Sequence, residues 1–156
     1  MKTFIGFTEA LELTLDHVAP GEEEELTLLA AVGRVLTADL TSLVDSPSIS
    51  TSRKDGFAVV PEDLSTASRD HPIRLKLVGR CTAGDTRPVR MSRGEAVRVT
   101  TGALIPAGAS AVISEEFCRV EDSTVVCFNT AESDRNILQR GTDVRSKDQV
   151  AARGDR

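Results

Sequence analysis

From residue 46 onward every apolar run is short and closed by Gly, Pro, Ser or Asp: 57–60, 73–78, 96–100, 111–114, 118–120 and 125–128. Runs of this length, cut by turn formers, suit strands and are too short for helices. Ile73-Arg74-Leu75-Lys76-Leu77 alternates strictly, as a half-buried strand should. Glu121-Asp122-Ser123-Thr124 reads as the turn of a hairpin that brings Cys118 and Cys127 near each other. No strand–helix–strand rhythm runs through the segment, which disfavours a nucleotide-binding parallel sheet. Residues 46–134 are therefore expected to form a compact β-rich domain, a partly closed barrel.

The first 45 residues have another texture. Thr8 is placed to cap a helix with Glu9 and Glu12 near its positive end. Ala10, Leu11, Leu13, Leu15 and Val18 are available for an apolar stripe, and Pro20-Gly21 ends the helix. The acidic run 22–25 reads as a solvated linker. Thr27 is expected to cap a second short helix ending at Gly33, and residues 34–40 alternate as an extended segment. The fold class is α+β, mostly β.

Charge and composition exclude several functions. Of the 19 basic and 24 acidic residues, residues 1–50 hold two and nine, leaving the remainder slightly basic. The acidic half argues against nonspecific nucleic-acid binding. Five Phe with no Trp or Tyr leave no stacking platform for single strands, and require a core built from Val, Leu, Ile and Ala. Cys81, Cys118 and Cys127 lack CxxC spacing and stand far from His17 and His71, so reduced thiols in a cytoplasmic protein are expected rather than zinc ligands. No apolar run approaches the ~18–20 residues of a membrane span.

Three loops carry the residue types that bind anions and hard cations. Asp55-Gly56 puts a carboxylate at a strand entrance, beside a residue that permits close backbone approach. It is either a Mg²⁺ or phosphate-orienting group or a plain turn whose Asp bonds nearby amides. Thr100-Thr101-Gly102-Ala103 follows a strand and offers hydroxyls and amides as an anion cradle, or ordinary turn chemistry. Arg140-Gly141-Thr142-Asp143 joins a phosphate-matching guanidinium to a carboxylate that would share a metal with Asp55, unless it is a salt-bridged turn. Nothing supports nucleophilic catalysis: Glu115-Glu116 reads as a solvated edge, and no His lies near a Cys. Arg153-Gly154-Asp155 matches a cell-adhesion tripeptide by chance.

In this order and spacing the motifs resemble the MoeA/gephyrin E-domain family of molybdenum-cofactor biosynthesis. Phe7-Thr8-Glu9-Ala10-Leu11 is similar to its opening helix and Leu28 through Leu36 to its E-A-L-G-R-V-L stretch. Pro47 through Val59 is similar to P-x-F-x-x-S-x-M-D-G-Y-A-V, Val97 through Ile113 to V-R-I-x-T-G-A-x-x-P-x-G-A-D-A-V-V, and Asn136 through Asp143 to N-I-R-x-x-G-x-D. The resemblance covers essentially the whole chain. Departures are Lys54 for Met, Phe57 for Tyr, Ser110 for Asp, Leu138 for Arg, and Lys147-Asp148 in place of a usual Gly.

The resemblance implies an elongated dimer-forming arm (1–45 with 135–156) and an inserted barrel-like domain (46–134). It implies a homodimer, with no nucleic-acid or membrane partner, whose cleft lies between this β domain and a pterin-binding α/β domain of the partner copy. That α/β domain would belong to the full-length enzyme or to a separate protein. The implied reaction inserts molybdate into adenylylated molybdopterin with Mg²⁺, releasing AMP. Asp55, Thr101 and Asp143 align with polar positions directed at the cleft, with Gly56, Gly102 and Arg140 as substrate contacts and Asp55 and Asp143 as metal ligands. Lacking the pterin-binding domain, the segment alone holds half of such a site and is expected to be inactive. The alternatives are a dimerising scaffold or partner-binding module that kept the fold without the chemistry, and a small-oxyanion sensor.

Overall fold

The structure, a computed structural model, describes residues 4–156. The chain divides into two compact units, one running to Asp39 and including Ala151–Arg156, the other spanning Leu40–Val150. The first three residues of the expected arm lie outside the described residues.

Among the described residues the first unit contains one helix, α1 (Phe7–His17), capped at Gly6 with no side-chain hydrogen bond. Thr8 is not the cap: it lies within the first turn, and Ala10 N–H already donates to Gly6 O at 2.9 Å. None of the helix residues is buried within the chain; Leu11, Leu13 and Leu15 stand 46–64% exposed. The second expected helix is absent. Residues 28–33 make successive turns, with Ala30 and Ala31 N–H both donating to Thr27 O. The expected extended segment 34–40 is an irregular run, tied to the C-terminal residues by Leu36 N–H to Asp155 O and Gly154 N–H to Leu36 O.

The second unit holds the sheets. Its short strands are β1 (Leu40–Thr41), β2 (Thr51–Ser52) and β9 (Ile137–Leu138); β1 pairs with β10 (Gln149–Ala151) and β2 with β9. The main sheet contains β3 (Gly56–Val59), β4 (Ile73–Cys81), β5 (Glu95–Val99), β6 (Ala111–Ser114), β7 (Cys118–Glu121) and β8 (Thr124–Cys127), in the order β6-β3-β5-β4-β8-β7. It curls into a half-barrel with β6 and β7 at its edges. Every neighbouring pair is antiparallel except β4 and β5, whose parallel register slips between Leu77 and Gly79.

The continuous apolar runs of β3 and β6 follow from burial on both faces. Phe57, Val59, Ala96, Ala111, Ile113, Val125 and Cys127 fill one side, whereas Ala58, Val97, Val99, Val112 and Cys81 fill the other. Strands covered on both sides lose the polar half of the alternation. Phe57 is the only buried aromatic among the described residues, so Val and Ala form most of the core.

Candidate functional site

Gly56 explains where Asp55 sits. A Cβ on Gly56 would lie 2.1 Å from the Ile113 carbonyl oxygen, so only glycine lets β3 run this close to β6. The close approach expected at this residue is thus made to a neighbouring strand. β3 therefore starts hard against β6, and Glu115 N–H donates to Asp55 O at 3.1 Å just beyond that strand's end. The Asp55 side chain is left exposed at the rim.

Thr101 arrives at the same rim from the end of β5, which pairs with β3 through Gly56↔Val99. Gly102 follows with φ +81, a left-handed turn that favours glycine, and its N–H returns to Ser52 O at 2.8 Å. This turn presents two donors to one acceptor: Thr101 N–H (2.6 Å) and Thr101 Oγ (3.1 Å) both donate to Asp55 Oδ1. These bonds, the amide foremost and the hydroxyl next, hold the Asp55 carboxyl below its ordinary range, with the Arg98 charge adding to the effect. The carboxylate is fixed in direction and ionised at neutral pH.

Asp55 and Thr101 line a cavity of about 590 Å³ together with Lys54, Arg98, Glu115 and Cys118. Arg98 Nη2 lies 3.3 Å from Glu115 Oε2, with the guanidinium about half exposed. Arg98 stands out in the sequence as a charge among the apolar Ala96, Val97 and Val99 of β5, but nothing there pairs it with Glu115, 17 positions further on. The lining sets two cations, Lys54 and Arg98, among three carboxylates, Asp55, Glu115 and Glu116, so the cations can meet a ligand's anionic oxygens while the carboxylates can meet a bound cation.

Asp143 and Arg140 do not line this cavity. They belong to a second polar group that ties 45–50 to 139–146. Arg140 Nε donates a short hydrogen bond to Asp45, and Ser146 N–H donates to the other Asp45 oxygen at 2.7 Å. The Ser146 amide first, then Arg140, holds the Asp45 carboxyl below its usual range. Asp143 N–H donates to Ser46 O at 2.9 Å, and Ser46 Oγ to Asp143 Oδ2 at 3.4 Å. Gly141 N–H reaches Pro47 O at 2.9 Å across the cis Ser46–Pro47 bond. Asp45, the partner that fixes Arg140, had no sequence signal beyond its charge.

The donor chemistry at Asp55 suits a hard cation. Both bonds from Thr101 end on Oδ1, so Oδ2 remains for an external ligand. Among the described residues no three His, Cys, Asp or Glu side chains group to hold a metal ion by themselves. A cation here would thus draw most of its ligands from water and substrate oxygens, the manner of Mg²⁺. Among the described residues no helix is long and apolar enough to cross a membrane.

The sequence matches the family described as MoeA N-terminal region (domain I and II) over residues 5–156. The molybdopterin molybdenumtransferase of Synechococcus elongatus is 34% identical over 155 positions, covering 97% of this chain and 38% of that protein. The one from Bacillus subtilis is 30% identical over 159 positions, with 99% and 37% covered. The crystal structure of the molybdopterin biosynthesis moeA protein from Pyrococcus horikoshii OT3 superposes with a TM-score of 0.86 at 32% identity, covering 97% of this chain and 40% of that one. The chain spans about two fifths of the length of these relatives. With motifs, half-barrel and family match in agreement, the chain belongs to the MoeA N-terminal region (domain I and II) family.

Proposed function

We propose that this chain forms the dimerisation arm and one wall of the active cleft of a molybdopterin molybdenumtransferase, an enzyme that inserts molybdate into adenylylated molybdopterin. The observation that carries the reading is the oriented, ionised Asp55 on a cavity shared with Arg98 and Lys54. The pterin-binding half of the cleft would come from a further domain of a partner copy. Residues 1–45 with 135–156 would form the arm, and 46–134 the wall. The exposed apolar side chains of α1, none of them buried in the single chain, support association through the arm.

In this reading Asp55 presents fixed negative charge at the cleft, and Oδ2 with substrate phosphate oxygens would hold Mg²⁺. When bound, that ion supplies neutralisation of phosphate charge. Thr101 uses both donors on Asp55, which makes it a positioning residue for the carboxylate rather than a donor to a substrate oxyanion. Arg98 faces the anionic oxygens of the ligand, while Glu115 restrains its guanidinium. Arg140 and Asp143 hold the second polar group together.

Titration of the isolated chain with adenylylated molybdopterin and Mg²⁺, followed through backbone amide NMR signals, tests the reading. Saturable shifts centred on Asp55, Thr101 and Arg98 are expected. An unchanged spectrum would favour the scaffold reading, a family fold that associates without taking the substrate.

A further inference from the structure

Two thiols face each other at the wall of the Asp55 cavity, Cys118 on the lining and Cys127 in the core behind it. The β7–β8 hairpin turns at Asp122-Ser123 and pairs Glu121↔Thr124, Val120↔Val125, Arg119↔Val126 and Cys118↔Cys127. Antiparallel pairs alternate between hydrogen-bonded and open sites. The bond from Phe128 N–H to Phe117 O (2.9 Å), one step beyond, sets the phase and makes Cys118↔Cys127 an open pair. Open pairs hold their Cα atoms about 4.5 Å apart, with side chains at closest approach, and that separation falls within the disulfide range. The two sulfurs are 3.8 Å apart, and both thiols are free. Cys118 is half-buried and lines the cavity, whereas Cys127 is buried in the core beside it. Cys81, the remaining cysteine, packs in the cluster on the opposite face of the sheet.

We infer that Cys118 and Cys127 form a reversible disulfide, a thiol-modification site in the wall of the Asp55 cavity that reacts with a small peroxide or with a low-molecular-weight disulfide. The cavity gives the oxidant access to Cys118 alone. With peroxide, the Cys118 sulfur attacks one oxygen, the O–O bond breaks, and the departing hydroxide leaves as water with the thiol proton. The resulting sulfenic acid meets the Cys127 sulfur, which displaces its hydroxyl as a second water and closes the S–S bond. Two thiols lose two electrons in all, and one peroxide is reduced to two waters. With oxidised glutathione, Cys118 first takes one glutathione sulfur and releases the other as thiol. Cys127 then displaces the bound glutathione, so two reduced glutathiones leave.

The Cys118 S–H donates to the Cys127 sulfur; that bond first, then burial, pushes the Cys118 thiol up while the bond favours the thiolate at Cys127, so the first attack draws on the minor thiolate population of Cys118. Thiol–disulfide exchange at the cavity-facing Cys118 sulfur makes the modification reversible. The inference is independent of the chemistry assigned to Asp55.

The test is a non-reducing peptide map of the reduced chain after exposure to hydrogen peroxide and, separately, to oxidised glutathione. The expected product has lost two hydrogens, links the peptides containing Cys118 and Cys127, keeps Cys81 alkylatable, and returns to three free thiols with dithiothreitol. Cys118→Ser and Cys127→Ser should each abolish the linkage, and Cys81→Ser should leave it intact. A lasting sulfinic acid or glutathione adduct on Cys118 without the cross-link would overturn the inference. So would a cross-link through Cys81, or three thiols surviving treatment. The wild-type map decides the matter even if a variant fails to fold.

Discussion

Replacing Gly56 with Ala tests how the site is built. The new Cβ would lie 2.1 Å from the Ile113 carbonyl oxygen and 3.0 Å from Ile113 C and Ser114 Cα, all backbone atoms of the adjoining strand. Ordinary carbon–oxygen contacts are about 3.3 Å or longer, so the overlap exceeds about 1 Å and no rotamer relieves it. β3 must separate from β6 along the four pairs from Gly56↔Ser114 to Val59↔Ala111, in the most buried part of the domain. We place the cost near the top of the overpacking range, about 3 kcal/mol. Alanine returns roughly 0.5–1 kcal/mol by restricting the unfolded chain, leaving a net loss of about 2 kcal/mol.

Urea unfolding followed by far-UV circular dichroism reads this directly. With a slope of ~1–3 kcal/mol per molar urea, the midpoint should fall by about 1 M. Gly79→Ala is the comparison within the same sheet: its Cβ would meet only valine methyls, the nearest at 3.3 Å. It should stay within about 0.5 kcal/mol of wild type. Equal midpoints for Gly56→Ala and wild type would refute the packing argument, and with it the reason Asp55 stands at the rim.

Three further outcomes are expected. Lys147 has φ +77, so Lys147→Gly should relieve left-handed strain and raise stability by roughly 0.5–1 kcal/mol after glycine's entropic cost, measured by thermal or urea unfolding. Because its folded pKa is depressed, Asp55 contributes stability that is present above its unfolded value near ~3.9 and lost as pH falls through the lower folded value. A carbon-13 NMR titration should show that low midpoint, and Thr101→Val, which keeps the amide donor, should raise it only part of the way. Sedimentation equilibrium should show the wild-type chain self-associating, and Leu11→Glu with Leu15→Glu should weaken association without lowering the urea midpoint of the β-rich unit.

Much of the fold was legible because strands buried on both faces appear in sequence as short apolar runs. The run at 111–114 and the turn at Asp122-Ser123 emerge where periodicity and turn chemistry place them. What the sequence hid was tertiary. The parallel β4–β5 contact has no local signal, since the link between them contains no helix. Thr27 and Gly33 carry plausible helix-end chemistry, yet the stretch between them exposes Leu28, Leu29 and Val32 and stops at turns, with no apolar surface to stabilise a helix. At the site, Asp55 and Thr101 were both recognisable as polar residues at strand ends. That Thr101 gives both its donors to Asp55 depends on the β3–β5 register, and that Arg140 pairs with Asp45 depends on joining loops 95 residues apart.

The central claim concerns the charge on Asp55. Asp55→Asn preserves an oxygen to accept the Thr101 bonds while removing that charge. It should be placed in a chimera in which residues 5–156 replace the corresponding region of a full-length relative, such as the Synechococcus elongatus enzyme. The measurement is single-turnover AMP release from adenylylated molybdopterin with molybdate and Mg²⁺. A fall of about 100-fold or more, with the fold and dimer intact, is the predicted result. Release at the unsubstituted chimera's rate would contradict the role assigned to this carboxylate.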